Sequence, residues 1–563
     1  MNKTHFTRVV SVALMLALLT AALSLVNAQE AKVLVTSISM VGGDLETIDP
    51  GLAETSSQIE IINQIFIGVT NQEETDGTLE LGIATDFTQD GLVYTFTLIE
   101  NLPWVRYNAD SGAVEQVNDA DGNPRFVTAQ DVVDSIKRSL APETASPYSY
   151  VLAPYIVGGL EFNAGEGSVD DVQAVAVDEL TLQITAPEAV AFAPSIYGLW
   201  VARAVPGWLI EEFGDSWTEP ENIATYGPFA LKEWAHEESI TLIKNPFWTG
   251  TDAIPVPMLD EVLFRFLDPQ QQFAEYLAGT IDAINVPLEE LDRVRADAVL
   301  SPEYGSGTSP CTYYLGFDNF EAPMDNVHLR RALSLAIDRE SIVTNVTRGG
   351  QIAAKWFARP GLDASPLVEW TTERPDVGIG FDPEAAQAEL ALALEELGLA
   401  SAADLTTLTL SYGDSSNHGA IMQAIQQMWT DTLGITVTLV ALEPSTYFST
   451  VSEDAPIIYR SGWCQDYSDA NNFLFDVFYS KSTQNDPGFQ NAEFDALVEE
   501  ARLETDVEVR RELYAQADEI LSDTQAGIAP IYWYTTNRMI KPYVEFTVAT
   551  TGNQAYYNWN VSK

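Results

Sequence analysis

The residue types that most often do chemistry are sparse in this chain of 563 residues. Beyond the first 28 residues there are three histidines, His236, His328 and His418, and none has a second histidine or a cysteine at metal-ligand spacing. The chain contains no GxSxG nucleophile elbow, no phosphate-binding P-loop and no GxGxxG turn at the start of a helix. We therefore predict no metal site, no cofactor and no catalytic centre.

Carboxylates are the exception, because the chain has 82 aspartates and glutamates. Two of them could form the acid and base of a glycosidase. With so many acidic residues, however, any one pair carries almost no information. A secreted acidic hydrolase therefore stays open as an alternative class, but no residues can be assigned to it.

The first 28 residues have the pattern of a secretory signal peptide. Lys3 and Arg8 precede an apolar run from Val9 to Val26, and small residues follow that run. This order predicts export with cleavage after Ala28. No cysteine lies in this segment, so there is no thiol to lipidate. We expect a mature protein that is periplasmic or extracellular and carries no acyl anchor.

The segment SGWCQDYSDANNF places Cys464 between a tryptophan and an aspartate, and the only other cysteine is Cys311. An exported chain meets an oxidising compartment, so these two thiols can pair with no competing partner. Cys464 follows PIIYRSGW and Cys311 opens CTYYLGFD, and both runs are rich in the β-branched and aromatic residues of strands. We predict one disulfide that ties two strands distant in sequence.

The formal net charge of −54 limits the possible partners. Nucleic acids and anionic membrane surfaces are repelled by a protein of this charge, so we expect neither as a partner. Most of the charge is explained as a solvated, repulsive shell that keeps the protein soluble. The same field favours the approach of cationic ligands and slows the approach of acidic ones.

The elements that must position these residues alternate between strands and helices. Period-two alternation predicts strands in LVYTFTLI, ELTLQITA, ESITLIKN and LTTLTLSY. Capping patterns predict helices from Thr128 to Leu140 and from Asp382 to Gly398. A third helix, from Asn417 to Gly434, is followed by the strands ITVTLVAL and IIYR, which predicts a three-layer α/β lobe. The acidic stretch 108–123 is predicted to be a solvated loop.

Five blocks, taken in order, resemble the solute-binding proteins of ABC importers of the oligopeptide, dipeptide and nickel family, over residues 47–544. The blocks are ETIDP; DGLVYTFTLIENLPW with VTAQDVVDSIKRSL; TYGPFALKEW with KNPFW; LRRALSLAIDRESIV; and GWCQDYSDANNF with EFDALVEEAR. The last block is most similar to that of the oligopeptide binders. The acidic stretch 108–123 departs from the family, which has a short link there.

The resemblance implies an α/β fold, a two-lobed periplasmic-binding-protein clamp of type II with an additional third domain. It implies that a ligand is engulfed between the lobes by hinge closure. The implied division of the chain is a signal peptide at 1–28, a discontinuous lobe I at 29–66, 196–310 and 536–563, an extra domain at 67–195, and lobe II at 311–535.

The resemblance also implies roles for residues near Cys464. Asp466 matches the aspartate that receives a peptide's α-ammonium group, which is a charge-assisted hydrogen bond. Arg460 matches an arginine that meets the carboxylate of short peptides, a task suited to a guanidinium group. A salt bridge to an acidic neighbour is an equally reasonable role for Arg460.

The remaining implied contacts come from both lobes. Gly462, Trp463 and Cys464 match a segment whose backbone pairs with the ligand as an added strand. Trp463 could also serve as a core residue. Tyr148 and Ser56 fall at ligand-contact positions on the opposite side of the cleft.

The sequence therefore predicts a monomeric binding protein, not an enzyme, that captures peptides and presents them to the permease subunits of an ABC transporter. An oligosaccharide or another solute stays open as the ligand within the same fold. With a sugar ligand, Asp466 would accept hydrogen bonds from hydroxyl groups and aromatic stacking would dominate.

Overall fold

The computed structural model describes residues 31–40, 43–374, 377–405, 408–414, 417–552 and 554–563. The predicted signal peptide and its cleavage site after Ala28 lie outside the described residues. Within these ranges no helix combines the length and the apolar character needed to cross a membrane.

The strands of the described residues are, in chain order, β1 (Val33–Ser39), β2 (Thr70–Gln72), β3 (Leu79–Leu81), β4 (Ala84–Asp90), β5 (Val93–Leu98), β6 (Val105–Asn108), β7 (Ala113–Gln116), β8 (Ala174–Ala176), β9 (Thr181–Thr185), β10 (Phe229–Ala235), β11 (Ser239–Lys244), β12 (Glu261–Leu267), β13 (Ala283–Asn285), β14 (Tyr304–Phe317), β15 (Ile352–Ala353), β16 (Thr409–Gly413), β17 (Thr438–Leu442), β18 (Ile458–Cys464), β19 (Ile528–Ile540), β20 (Val544–Glu545) and β21 (Asn560–Val561).

The α-helices are α1 (Ser56–Ile65), α2 (Ala129–Leu140), α3 (Ser149–Leu152), α4 (Gly159–Asn163), α5 (Ala193–Ile196), α6 (Gly207–Phe213), α7 (Pro269–Ala278), α8 (Leu291–Ala296), α9 (Val327–Leu335), α10 (Arg339–Ser341), α11 (Trp370–Glu373), α12 (Pro383–Leu397), α13 (His418–Leu433), α14 (Pro444–Glu453), α15 (Asn471–Phe478), α16 (Ala492–Leu503) and α17 (Val507–Glu519).

Two sheets shape the part of the molecule that contains the N-terminal half of the chain. One has the order β1-β12-β11-β10, and the other has the order β4-β5-β9-β8. Their buried side chains form one continuous hydrophobic core, which includes Leu34 and Phe264 from the first sheet and Phe96 and Ile184 from the second. The predicted lobe I and extra domain therefore share a core.

A second large sheet has the order β13-β19-β14-β18-β16-β17. β16 runs parallel to both β17 and β18, as the predicted β-α-β succession requires. Successive residues of β14 point to opposite faces, because side chains alternate along a strand. Tyr313 and Leu315 pack on a core with α9, α12 and α13, while Tyr314 packs on a core with α15, α16 and α17. Helices thus cover both faces, and the predicted three-layer lobe is confirmed.

The helix ends follow the capping patterns read from the sequence. Thr128 accepts from the backbone N–H of Asp131, and the Asp131 carboxylate accepts from the N–H of Thr128, which starts α2. α12 and α13 both end at a glycine in the left-handed conformation, Gly398 with φ 67° and Gly434 with φ 68°. The three predicted helices are therefore present.

The acidic stretch 108–123 is more ordered than the solvated loop that was predicted. β6 and β7 form a hairpin whose turn contains Gly112 at φ 68°. Beyond it, the Asp119 carboxylate accepts from the backbone N–H groups of Asp121 and Asn123. The prediction missed the hairpin because strands of only four residues each, VRYN and AVEQ, are too short for alternation to be recognised in the sequence.

The chain passes between the two halves along β14 and β19, which pair with each other over most of their length. Their pairing runs from Tyr304 with Met539 to Thr308 with Thr535 and resumes at Thr312 with Trp533. The shift in register between these stretches is an irregularity of the β-bulge kind, and bulges bend a strand locally. It lies beside the lobe boundary predicted at residue 311.

Candidate ligand-binding site

β18 has one backbone edge open over most of its length. It pairs with β14 along all seven residues, from Ile458 to Cys464, but it pairs with β16 only at Tyr459. Among the described residues, no backbone hydrogen bond reaches the other edge from Ser461 to Cys464. Gly462 and Cys464 are exposed there. Unpaired backbone groups of this kind can accept an added strand.

The disulfide anchors the end of this strand. Cys311 in β14 and Cys464 in β18 lie directly opposite each other in the antiparallel register and are joined by a disulfide bond. The pairing predicted from the sequence is confirmed. The bond prevents the open strand from leaving its neighbour at the point where the chain turns towards Asp466.

Asp466 follows the open strand and is buried, with 8% of its surface exposed. Its carboxylate accepts from the Tyr150 hydroxyl at 3.1 Å and from Asn472 Nδ2 at 2.9 Å, and no cation pairs with it among the described residues. Burial, together with the nearby charge of Asp476, raises the pKa of Asp466 to about 7. Asp466 is therefore a buried acid without a counter-ion.

Asp476 lies next to Asp466 in a buried polar network. Its carboxylate accepts four hydrogen bonds, from the hydroxyls of Tyr155 and Tyr467 and from the side-chain amides of Asn471 and Asn472. These four donors are all neutral, and burial raises the pKa of Asp476 to about 6. Tyr155 belongs to the N-terminal half, so the network joins the two halves of the molecule.

A third buried acid is held differently. Asp469 forms an ion pair with Arg510 Nη2 at 2.7 Å, and each side chain is 4% exposed. Burial still raises the pKa of Asp469 to about 6, with Arg510 opposing that shift. Of the three acids in this segment, Asp466 and Asp476 lack a cationic partner in the described part of the chain.

Arg460 lies at the other end of the open edge. Its Nη2 donates to the Tyr534 hydroxyl at 2.7 Å, and its guanidinium carbon lies 4.8 Å from the centre of the Tyr313 ring. Its Nε is buried without a hydrogen-bond partner. Within the described ranges no acid forms an ion pair with Arg460, so the salt bridge considered as its alternative role is not found there.

His418 is a residue of this region that sequence reasoning left unassigned. Its Nδ1 lies 3.2 Å from the Tyr313 hydroxyl, at the start of α13. Burial, and then the charge of Arg460, lowers its pKa to about 3, so this imidazole is neutral. Its position shortly after β16 was the available signal, because ligands of α/β sheets bind beyond the carboxyl ends of strands.

Aromatic side chains connect the Asp466 end of β18 to the N-terminal half of the molecule. The Trp463 ring lies 6.4 Å from Tyr150, and Trp463 Nε1 donates to Asn472 Oδ1 at 3.2 Å. Tyr148 lies 5.4 Å from Tyr150, between centroids, and 4.7 Å from Trp200. Tyr150, which contacts Asp466 directly, was missed by the sequence analysis, although it is two residues from Tyr148.

The structure brings most of the predicted site residues together. Six of them lie on β18, directly after it, or in the aromatic group that faces it: Asp466, Trp463, Gly462, Cys464, Arg460 and Tyr148. Ser56 is exposed in the first turn of α1, which Thr55 caps. No hydrogen bond or ring contact in the described residues joins Ser56 to the others. The described residues as a whole also contain no group of acids, histidines and cysteines arranged to hold a metal ion.

An α/β molecule with separate cores in its two halves and an open strand edge has the architecture of a solute-binding clamp. The chain belongs to the bacterial extracellular solute-binding proteins of family 5, whose family model, for the middle region, matches residues 48–485. It is accordingly an extracytoplasmic solute-binding protein.

Named relatives cover nearly the whole chain. The oligopeptide-binding protein OppA of Bacillus subtilis is 32% identical over 501 residues, 87% of this chain and 86% of that protein. The periplasmic oligopeptide-binding protein OppA of Escherichia coli is 30% identical over 514 residues, 89% of this chain and 88% of that protein.

A solved structure of a binding protein has the same fold as this chain. The murein tripeptide binding protein MppA of Escherichia coli superposes with a TM-score of 0.79 at 26% identity, over 95% of this chain and 99% of that one. The predicted clamp fold is thereby confirmed. The hydrolase alternative is not favoured, because the family consists of solute-binding proteins.

Proposed function

We propose that this protein captures peptides in the cleft between its lobes and delivers them to the permease of an ABC importer, without breaking a bond. The relatives named for oligopeptide binding support this proposal. We further propose that the protein is exported by cleavage after Ala28 and acts as a monomer.

The observation that carries the proposal is an open backbone edge with a buried, uncompensated charge at each end. A peptide is complementary to this arrangement, because it offers main-chain donors and acceptors between an ammonium and a carboxylate group. Asp466 would hold the ammonium, Arg460 would meet the carboxylate of a short peptide, and Gly462, Trp463 and Cys464 would pair with the peptide main chain. Side chains of the ligand would occupy hydrated pockets, so many sequences could bind.

The fold supplies a means of closing over such a ligand. In the proposed division, lobe I consists of 29–66, 196–310 and 536–563, the extra domain is 67–195, and lobe II is 311–535. Tyr148 and Ser56 would contact the ligand from the side opposite β18. The irregularity in the β14–β19 ribbon between Thr308 and Thr312 would act as the hinge.

A double-mutant cycle at Asp466 tests the proposal. Asp466→Asn removes the charge but keeps the size, and acetylation of a peptide's N-terminus removes the ammonium from the other side. Each change alone should weaken binding by about 2–5 kcal/mol, which is roughly 30-fold to several thousand-fold. Once one change is made, the other should cost little, because both remove the same interaction.

Titration calorimetry on the four combinations, at matched salt concentration, measures the coupling. Asp134→Asn is the matched control, because it removes one negative charge from an exposed position on α2. Additive losses, or full affinity in Asp466→Asn, would contradict the role of Asp466. A rise in melting temperature with oligosaccharides but not with a peptide library would instead favour a sugar ligand.

A further inference from the structure

A cavity lies directly beside Asp466, which forms part of its wall. Asp466 is its one lining residue from the proposed lobe II, and the other walls come from the N-terminal half and the C-terminal tail. Its volume is about 60 Å³. A water-sized group needs roughly 10–15 Å³ measured in this way, so the cavity has room for about four to six such groups.

Three polar atoms of residues that line this cavity are buried and have no hydrogen-bond partner in the described part of the chain. They are the indole Nε1 of Trp200, the amide Nε2 of Gln72 and the amide oxygen Oδ1 of Asn63. Trp200 is 3% exposed, and its N–H group can only donate. Buried polar groups are normally paired, and an unpaired one costs about 1–3 kcal/mol. These atoms therefore indicate that a polar group completes the cavity.

The charges around the cavity favour a neutral group. Glu74 and Asp466 contribute two carboxylates, and Arg203 contributes one guanidinium. Glu74 accepts from Gln554 Nε2, the Ala555 N–H and Asn558 Nδ2, so its acceptor capacity is largely used. With a ligand ammonium present, the cationic groups at the cavity would equal the two carboxylates in number; Arg203 itself donates to the backbone carbonyls of Phe66 and Gly198. A further carboxylate placed here would lack a counter-ion.

We infer that this cavity accepts the side chain of the first residue of the bound peptide and selects a carboxamide, that of asparagine. The inference rests on the proposed peptide-binding function. An asparagine side chain has four heavy atoms beyond Cα, which matches the space. Its oxygen can accept from Trp200 and Gln72, and its NH₂ group can donate to Asn63. A leucine side chain has a similar shape but would leave all three groups unpaired.

Titration calorimetry with three tripeptides tests the inference: Asn-Ala-Ala, its near-isostere Leu-Ala-Ala, and Asp-Ala-Ala. The asparagine peptide should bind about 10- to 100-fold more tightly than the leucine peptide, because a site built for hydrogen bonds rejects a group that lacks them. The aspartate peptide should bind more weakly than the asparagine peptide.

Variants locate the preference in the cavity. Trp200→Phe removes the indole N–H, and Gln72→Met removes the amide; each should reduce the asparagine-to-leucine affinity ratio by about 3- to 10-fold. Gln72→Met provides the test if Trp200→Phe does not fold. The matched control is Trp356→Phe, a buried tryptophan whose Nε1 is also unpartnered but which lies outside the cavity. The asparagine-to-leucine affinity ratio of this control variant should equal that of the unchanged protein.

The outcomes separate this inference from the proposal on which it rests. Equal affinity for the asparagine and leucine peptides would show that the cavity holds only ordered water, and would overturn the inference while leaving peptide binding intact. A preference for asparagine that survives both cavity variants would also overturn it. Failure of all three peptides to bind would contradict the peptide-binding function itself, and the inference with it.

Discussion

The two ends of β18 hold buried charges of opposite sign in different ways. At one end the Asp466 carboxylate accepts hydrogen bonds from neutral groups, Tyr150 and Asn472. At the other end the Arg460 guanidinium contacts tyrosines and keeps one N–H group unpaired. The acidic end can lose its charge by taking up a proton near neutral pH, whereas an arginine cannot lose its charge in a protein.

Several other buried charges in the described part of the molecule are compensated. Asp469 has Arg510, Asp49 has Arg138, and Arg339 donates to several backbone carbonyls and to Ser334. A buried charge without such partners costs free energy unless a ligand supplies them. The difference between the two ends therefore predicts that the peptide's ammonium and carboxylate are recognised with different responses to pH.

The largest expected effect comes from removing the basic end. Arg460→Gln should weaken binding of a short peptide with a free carboxylate by roughly 30-fold to several thousand-fold, because the carboxylate loses its buried cationic partner. Amidation of the peptide's C-terminus should add little in this variant. Calorimetry measures both changes, with Arg374→Gln as the control, because Arg374 is a partly exposed arginine paired with Glu512. Equal losses for acid and amide peptides would remove Arg460 from the site.

The acidic end should make binding depend on pH. The raised pKa of Asp466, about 7, means that its charge is present above pH 7 and is lost as the pH falls. The peptide's own α-amino group is mostly protonated at pH 7 and below, so affinity for a peptide with a free N-terminus should fall by roughly 40-fold from pH 7 to pH 5. Binding by Asp466→Asn should be nearly flat over this range. A flat profile for the unchanged protein would contradict the role of Asp466.

The contribution of Asp466 to the free energy of unfolding should decrease as the pH rises, whereas that of a typical salt-bridged aspartate increases. Because the folded pKa of Asp466 exceeds that of the unfolded chain, the folded state holds the proton more tightly between about pH 4 and pH 7. Its contribution to the free energy of unfolding is thus greatest at low pH and declines as the pH rises through 7.

Urea unfolding of the ligand-free protein and of Asp466→Asn measures this contribution. The free energy of unfolding of the unchanged protein, minus that of Asp466→Asn, should change by up to about 1.4 kcal/mol per pH unit between pH 5 and pH 7. Taking the difference cancels the titration of all other groups that the substitution leaves unaltered. A difference that does not vary with pH would show that the pKa of Asp466 is unperturbed.

The smallest expected effect concerns the neighbour of Asp466. The charge of Asp476 helps to raise the pKa of Asp466, so Asp476→Asn should move the midpoint of the binding profile to lower pH. Affinity at pH 6 should improve by a few-fold at most. The profile of Arg460→Gln, at the other end, should keep its original midpoint. An upward shift in Asp476→Asn would mean that hydrogen bonding, and not charge, dominates this pair.

Local patterns predicted much of the fold correctly. The capping box at Thr128 and the Asp382-Pro383 start each gave a helix where they predicted one, because capping depends on residues close in sequence. The strand predicted in LTTLTLSY begins only at Thr409, after a short helical turn at Ala402–Asp404. Strand boundaries depend on partners elsewhere in the chain, so alternation alone places them less well.

The residues of the candidate site likewise fall into those that the sequence could identify and those that it could not. Asp466, Trp463 and Cys464 could be picked out in the sequence because they share one short block that resembles a known family. Tyr150, Tyr155 and His418 carried no such signal. Their relevance depends on which residues they face, and those residues are far away in the chain.

By itself the sequence determined the family and the disulfide partners, and it predicted the export signal and the ligand-facing strand, since each is recorded in composition or in a contiguous motif. Only the tertiary structure decided that β18 keeps an open edge, that Asp466 and Arg460 lack counter-ions in the described chain, and that a polar cavity adjoins Asp466. Burial and pairing are properties of neighbours in space. The charge of a side chain can be read from its type, but whether that charge is compensated depends on groups that folding brings to it.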